Sequence, residues 1–164
     1  MISAPVARPP RLQDEIGKKT PFECLEQEVT LNLERTADEL GRPFEELFES
    51  QGLSCPQYNV LRILRGHGRP VPCHEIGAQM ICRTPDVTRL VDRLETAGLA
   101  ERRRTPDDRR VVFVAITKAG LKLLAKLDRP LIDMHRRSLA HMPRAELKTM
   151  NRLLVKMRHP RAET

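Results

Sequence analysis

The segment from Cys82 to Thr117 constrains the fold of this chain most strongly, and its first half predicts a helix. Thr84 offers a side-chain oxygen where a helix can begin, and Pro85 is tolerated in a first turn. Gly98 is placed to end the helix, because glycine accepts the left-handed conformation that follows a last turn. Between these signals, apolar residues recur at the spacing of one buried helix face: Val87, Leu90, Val91 and Leu94. The pattern predicts a helix over Thr84 to Ala97.

The second half of the segment predicts a β-hairpin. Two short strand-like runs, Ala100 to Arg104 and Val111 to Ile116, flank Thr105-Pro106-Asp107-Asp108, which has the composition of a tight turn. Two arginines, Arg109 and Arg110, follow at the hairpin tip. The chain therefore places an arginine-tipped hairpin directly after the helix.

The polar side of this helix and hairpin suits double-stranded DNA as a partner. The outer face of the helix carries Thr88, Arg89 and Arg93. A helix can fill a major groove, where an arginine fork binds guanine O6 and N7, and a basic loop can reach the next minor groove. The alternative is a solvated charged surface. Because Arg102, Arg103 and Arg104 alternate along a strand, at least one of them is expected to face away from DNA.

The length and charge of the chain fit this hypothesis. Its 164 residues suffice for one core, and 29 Lys and Arg against 22 Asp and Glu give a net charge of +7, which suits a polyanionic partner. No apolar run approaches the roughly 20 residues that cross a bilayer, and no signal peptide is evident, so we expect a cytoplasmic protein and no membrane partner. The four cysteines are irregularly spaced and are expected to be mostly reduced.

Charge is divided unevenly along the chain. Phe22 to Ser50 contains nine acidic and two basic residues, a balance of −7, whereas Lys118 to Thr164 contains twelve basic and four acidic residues, a balance of +8. The two regions could attract each other, within one chain or between two chains. They could equally be solvated helix faces.

Several further helices are predicted from apolar periodicity. A first helix spans Phe22 to Phe48, with Thr20 as its cap and with Gly41 and Pro43 expected to kink or split it. A second is capped by Ser54, and a short third runs from about His74 to Met80 after a proline-rich loop. Thr117 caps a long helix that bends at Pro130, and Pro143 begins the last one. The terminal apolar stripes exceed what a small central domain can cover, which argues for a dimer.

The order of these motifs resembles the MarR family of bacterial transcription regulators. The resemblance runs from about Leu25 to Met157 and is densest between Leu53 and Leu124. It rests on GLSCPQYNVLRIL, HEIGAQM, the helix ending LVDRLETAGLAERR, the wing TPDDRRVVFVAIT and the following KAGLKLL. The combination of that helix ending, D-x-R in the wing and I-T-x-x-G after it is specific.

The resemblance implies a mainly α fold with a small β-wing, a winged helix-turn-helix, whose terminal helices form an intertwined homodimer interface. It divides the chain into a flexible tail over 1–20, a helical dimerisation region over 21–50 and 118–158, a DNA-binding domain over 53–117 and a C-terminal tail over 159–164. Family members mostly repress genes and release DNA when a small molecule or an oxidant acts on them. The resemblance thus implies a small-molecule effector of unknown identity, and a thiol switch is the alternative.

The resemblance also implies which residues read DNA. The helix matching Thr84 to Ala97 enters the major groove, Arg110 of the wing reaches a minor groove, Asp108 helps to hold that arginine, and Arg109 is free to bind a phosphate. The expected contacts of the recognition helix are Arg83, Thr84, Pro85, Asp86, Thr88, Arg89 and Arg93. Asp86 is an acid facing phosphates, which is tolerable if it contacts cytosine or pairs with Arg89 or Arg83.

Other chemistry is less well supported by the sequence. Cys73 and Cys82 stand near the DNA-reading unit and could be redox thiols, or simply small apolar fillers. The set His67, Cys73, His74 and Cys82 fits no common zinc spacing. No nucleophile motif or phosphate-binding glycine loop is present, so neither an enzyme nor a cofactor is predicted. Beside a ligand-responsive repressor, a thiol-switched repressor and a winged-helix module that binds an acidic protein remain open.

Overall fold

The computed structural model describes residues 10–83, 86–104 and 112–159. They divide into two compact units between Arg42 and Pro43, a boundary that lies inside one long helix. The structure is mainly helical with a small antiparallel sheet, as the sequence predicts. The elements are α1 (Leu12–Glu15), α2 (Leu25–Glu49), α3 (Cys55–His67), β1 (Val71–Pro72), α4 (Cys73–Ala78), α5 (Val87–Thr96), β2 (Ala100–Arg104), β3 (Val112–Ile116), α6 (Lys118–Ser138) and α7 (Arg144–Arg158).

Helix α2 begins at Leu25 rather than at Phe22, so the predicted cap at Thr20 is wrong. The amide of Glu28 donates to the Cys24 carbonyl at 3.4 Å, and the Gln27 side chain accepts from the Glu23 amide at 3.0 Å. This bond satisfies the Glu23 amide, one of the groups that a cap at Thr20 would have served, from a residue inside the helix. The helix starts where that side-chain oxygen is available.

Helix α2 is not split at Gly41 or Pro43 but continues to Glu49. A proline inside a helix removes one backbone hydrogen bond, a local cost that packing further along can offset. Beyond Pro43, Phe48 is buried, and Phe44 and Leu47 pack against the core of the second unit. These apolar contacts hold the last turns in place.

The three strands form one sheet in the order β1-β3-β2, with both pairs antiparallel. In the hairpin, Ala100 lies opposite Ile116 and Arg104 lies opposite Val112. Strand β1 was not foreseen, because the sequence predicts only a proline-rich loop there. Proline is tolerated because β1 is an edge strand and pairs with β3 alone.

The second unit is built around one apolar core between α3, α5, α6 and the sheet. Its fully buried side chains are Leu61, Leu64, Ile76, Leu94, Leu124, Leu127, Val60, Val71, Val91 and Val114. Helix α3 begins as predicted, with Ser54 and Gln57 forming a reciprocal capping box. It ends at Gly68, which adopts a left-handed φ of 64°.

The shorter and later helices follow the sequence with small changes. Helix α4 runs from Cys73 to Ala78, slightly earlier than the predicted His74 to Met80. Helix α6 is capped by Thr117 and continues through Pro130, and α7 starts directly after Pro143. Within the described part of the chain, none of the helices has the length and apolarity needed to span a membrane.

Several large apolar side chains stay exposed on the long helices. They are Leu25, Val29 and Leu33 of α2, Leu121 and Ile132 of α6, and Met150, Leu153, Val155 and Met157 of α7. Helix α7 buries none of its 15 residues. The predicted terminal stripes are therefore uncovered only in part within the described chain, since Leu124, Leu127 and Leu131 of α6 are buried in the core.

Candidate nucleic-acid interface

The helix predicted to read DNA is α5, and it begins with Asp86 as its cap rather than with Thr84. One carboxylate oxygen of Asp86 accepts from the Arg89 amide at 3.0 Å, and the other lies 3.0 Å from Arg89 Nε. Aspartate is as good a cap as threonine, and this position adds an ion pair one turn later. Thr84 and Pro85 lie outside the described residues. Of the arrangements considered for Asp86, the structure contains the pairing with Arg89.

The outer face of α5 is polar and open. Thr88, Arg89 and Arg93 are exposed, while Leu90, Val91 and Leu94 are buried on the opposite side, and Arg83 is exposed ahead of the helix. The Arg89 side chain remains 80% exposed although it is paired with Asp86. Among the described residues, Arg93 has no ion-pair partner. The face therefore presents two guanidinium groups to solvent.

The last turn of α5 is fixed by a tight junction with the start of α6. Gly98 has a left-handed φ of 69°, as predicted, and its carbonyl accepts from the Thr117 hydroxyl at 2.7 Å. The same hydroxyl oxygen accepts from the Gly120 amide at 3.1 Å, and the Thr117 amide donates to the Leu99 carbonyl at 3.1 Å. A Cβ on Gly120 would stand 2.3 Å from the Leu99 carbonyl oxygen. This close approach is the physical reason for glycine in I-T-x-x-G.

Strand β2 contacts α5 through Arg102, a contact that the sequence does not identify. The Arg102 guanidinium binds Asp92, lies 3.0 Å from Glu95 Oε2, and donates to the Thr88 carbonyl at 3.2 Å. The hydrogen bond to Asp92 raises the pKa of Arg102 most; burial opposes the rise, and the charges of Asp92 and Glu95 add to it. Arg102 is thus the strand arginine that faces the helix.

The hairpin tip is predicted to contribute three residues to DNA binding. Asp108, Arg109 and Arg110 lie outside the described residues, between Arg104 at the end of β2 and Val112 at the start of β3. Beside the tip, Arg103 pairs with Glu101 on its own strand. The roles of the three tip residues remain predictions.

Away from the hairpin, an ion pair joins α3 to α6. Arg65 donates from Nη1 to Asp128 Oδ2 and from Nη2 to Asp128 Oδ1, each at 2.9 Å. The bidentate geometry holds two planar groups in one orientation. Because the partners are 63 positions apart, sequence reasoning had no signal for this contact.

The candidate thiols have different surroundings. Cys82 is exposed, whereas Cys73 is half-buried against the core. The pKa of the Cys55 thiol is raised, first by burial and then by the nearby Cys82 and Glu45, so Cys55 favours the unreactive protonated form. His67 Nε2 lies 3.0 Å from the side-chain oxygen of Gln79. In residues 10–83, 86–104 and 112–159, no three His, Cys, Asp or Glu gather as metal ligands.

Two ring contacts lie near the end of α2. Phe48 stacks on Tyr58 of α3 with 4.3 Å between ring centroids, and Phe44 contacts His135 of α6 at 4.5 Å. Burial raises the pKa of the Tyr58 hydroxyl above its ordinary value. The ring contacts thus join α2 to α3 and to α6, the two helices that the Arg65–Asp128 pair connects.

Comparison with known proteins agrees with the motifs. Residues 53–112 match the model of the MarR family. A crystal structure of a MarR transcription factor from Planctomyces limnophilus is 44% identical, covers 82% of this chain and 98% of its own, and superposes with a TM-score of 0.64. The transcriptional repressor IacR of Pseudomonas putida is 29% identical over 70% of this chain and 68% of its own length.

The fold extends to more distant structures. The PcaV transcriptional regulator of Streptomyces coelicolor, solved with its natural ligand, is 20% identical, with a TM-score of 0.69 over 87% of this chain and 98% of its own. At that identity the likeness concerns the fold alone. The relatives are transcription regulators rather than enzymes. Taken with the helix, the hairpin and the T-x-x-G junction, these matches establish that the chain belongs to the MarR family of winged helix-turn-helix transcription regulators.

Proposed function

We propose that the protein is a homodimeric repressor that binds pseudo-palindromic double-stranded DNA and leaves it when a small-molecule effector binds. The observation that carries the proposal is the open polar face of α5, with Thr88, Arg89 and Arg93 exposed opposite a buried apolar face. A helix with this division of residues can lie in a major groove while its other side stays packed on the core.

Within this proposal the residues have different roles. Arg89 and Arg93 read base edges or phosphates, with Asp86 holding the orientation of Arg89 through its 3.0 Å pairing. In the hairpin, Arg110 enters a minor groove, held by Asp108, and Arg109 binds a phosphate. Arg83, Thr84 and Pro85 stand at or before the start of α5, where phosphates flank the groove.

Dimerisation is supported by the uncovered apolar side chains of the long helices. Helix α7 has Met150, Leu153, Val155 and Met157 exposed by 39–50%, and the first half of α2 exposes Leu25 still more. Removing apolar surface of this kind from water lowers the free energy of an assembly. A second copy of the chain would cover it and place two α5 helices on one duplex.

Repression and effector release are supported by the relatives. IacR carries the name of a repressor, and PcaV was solved with its natural ligand. The aromatic rings and the Arg65–Asp128 pair lie between elements that connect the DNA-binding part to the long helices, which is a suitable place for an effector to act.

Selection of genomic fragments by the purified protein tests the proposal. We expect a two-fold symmetric site with half-sites about 10 bp apart, bound with an affinity that falls steeply with salt. Arg110→Ala should weaken binding to all duplexes, whereas Arg89→Ala should also relax base preference. Equal binding of unrelated duplexes would contradict the proposal and favour a module that binds an acidic protein.

A further inference from the structure

One arginine of strand β2 contacts three residues that lie on one stripe of α5. Thr88, Asp92 and Glu95 follow the i, i+4, i+7 spacing of a single helix face. The Arg102 guanidinium reaches all three, through the Thr88 carbonyl and the two carboxylates. The Arg102 amide also donates to Glu95 Oε1 at 3.0 Å. We call this set of contacts the Arg102 clasp.

The clasp changes the charge that α5 presents. Between Val87 and Thr96 the helix has two arginines and two acids, so its formal side-chain charge is zero. Unpaired carboxylates on a helix in a groove would repel phosphates. Arg102 supplies positive charge to both carboxylates from the strand, and its side chain is only 27% exposed. Arg89 and Arg93 are left to dominate the exposed face.

The clasp also fixes geometry. Arg102 lies opposite Val114 in the sheet, and Val114 is fully buried in the core. Its backbone is therefore held by the sheet while its side chain holds more than one turn of α5. A planar fork with several donors can satisfy these acceptors together, whereas a lysine ammonium can satisfy fewer.

We propose that Arg102 is a positioning residue for DNA reading: it fixes the base of the hairpin against α5 and neutralises Asp92 and Glu95, without contacting DNA itself. The inference rests on the proposed function, because the reading it positions is that of a duplex. From the sequence alone, Arg102 could not be distinguished from the two arginines that follow it in the strand.

The neighbouring strand residue offers a matched control. Arg103 carries the same charge on the same strand, is 59% exposed, and pairs with Glu101 rather than with α5. Arg103→Gln removes one positive charge and leaves the clasp intact. Any loss of affinity beyond that of Arg103→Gln is therefore attributable to what Arg102 holds.

A double-mutant cycle measured on DNA tests the clasp. Arg102→Gln is made in the natural protein and in the Asp92→Asn, Glu95→Gln background. Affinity is measured by fluorescence anisotropy for the selected duplex and for a scrambled duplex, over a series of salt concentrations. We expect Arg102→Gln to weaken binding of the selected duplex about tenfold in the natural protein and less than about threefold in the background. The scrambled duplex should be weakened by a smaller factor, because the exposed carboxylates repel any phosphate backbone while base reading is lost only on the selected duplex. The salt slope should change by less than the roughly 0.9 expected for one lost phosphate contact.

Arg102→Lys keeps the test valid if the glutamine variant does not fold. It retains the charge but loses part of the fork, so it should lower affinity for the selected duplex by an intermediate factor, again only where Asp92 and Glu95 are present. Circular dichroism checks that each variant is folded before binding is measured.

Three results would overturn the inference. Equal losses in both backgrounds, with a salt slope lower by about 0.9, would mean that Arg102 contacts a phosphate. A loss no larger than that of Arg103→Gln would mean that the clasp does not affect DNA reading. A natural protein that prefers neither duplex would refute the proposed function itself, and the role of Arg102 with it; that failure is visible without any variant.

Discussion

Helices α5 and α7 are both amphipathic, yet they differ in what covers their apolar sides. Helix α5 buries Leu90, Val91 and Leu94 inside its own subunit, is capped by a side chain, and is tied to the hairpin and to α6. Helix α7 has no side-chain cap and buries nothing within the described chain. The difference supports the proposal that one copy of the chain contains the whole DNA-reading helix and its supports, and that a second copy covers the terminal helix.

Leucine truncation breaks this comparison most directly. Leu94→Ala removes a fully buried side chain of α5 and should cost about 2–5 kcal/mol of unfolding free energy. Leu153→Ala, on the exposed side of α7, should instead lower stability mainly by weakening the dimer, so its effect should depend on protein concentration. Urea unfolding at several protein concentrations measures both effects. A loss of stability for Leu153→Ala that does not depend on protein concentration would contradict the comparison.

Glycine substitution tests the junction between the end of α5 and the start of α6. Gly120→Ala places a Cβ against the Leu99 carbonyl oxygen and should cost about 1–3 kcal/mol, measured by urea unfolding. Gly66→Ala is the control, because a Cβ there meets nothing within 4 Å inside a helix, and it should leave stability the same or slightly higher. Similar effects of the two changes would show that the close approach is unimportant.

Arginine removal compares the two helices as DNA contacts. Arg93→Ala should reduce affinity for the selected duplex by about 1–3 kcal/mol if it reads a base, and lower the salt slope by about 0.9 if it binds a phosphate. Arg152→Ala removes an exposed arginine from α7 and should change affinity little. Equal losses, measured by anisotropy, would place the DNA elsewhere on the molecule.

Cap removal has the smallest expected effect. Asp86→Ala takes away the side-chain acceptor of α5 and should cost about 0.5–2 kcal/mol of stability. Asp86→Asn keeps the acceptor but loses the charge that pairs with Arg89, so it should retain most of the stability. Thermal unfolding distinguishes the two, and equal destabilisation would mean that the ion pair rather than the cap matters.

Local signals in the sequence predicted much of this structure. The apolar face of α5, the caps at Ser54 and Thr117, the end of α5 at Gly98 and the start of α7 after Pro143 all depend on residues close in the chain. The cap of α5 was a local signal that pattern placed wrongly, at Thr84 instead of Asp86. The ion pair of Asp86 with Arg89 adds to the cap at the second position.

Contacts between distant residues could not be predicted in this way. Strand β1 is specified by its pairing with β3. Arg102 and Arg103 have different roles because successive side chains of β2 point to opposite faces of the sheet, so that only Arg102 contacts α5. The Arg65–Asp128 pair likewise follows from the packing of α3 on α6. Such features depend on the tertiary arrangement, which a single sequence does not encode in spacing.

Hydroxyl-radical footprinting on the selected genomic site tests the central claim most directly, namely that two copies of the chain each place one α5 helix on the same duplex. We expect two protected half-sites related by two-fold symmetry, about 10 bp apart, which both disappear in Arg93→Ala. A single unpaired protected segment, or protection that survives the loss of Arg93, would contradict this account.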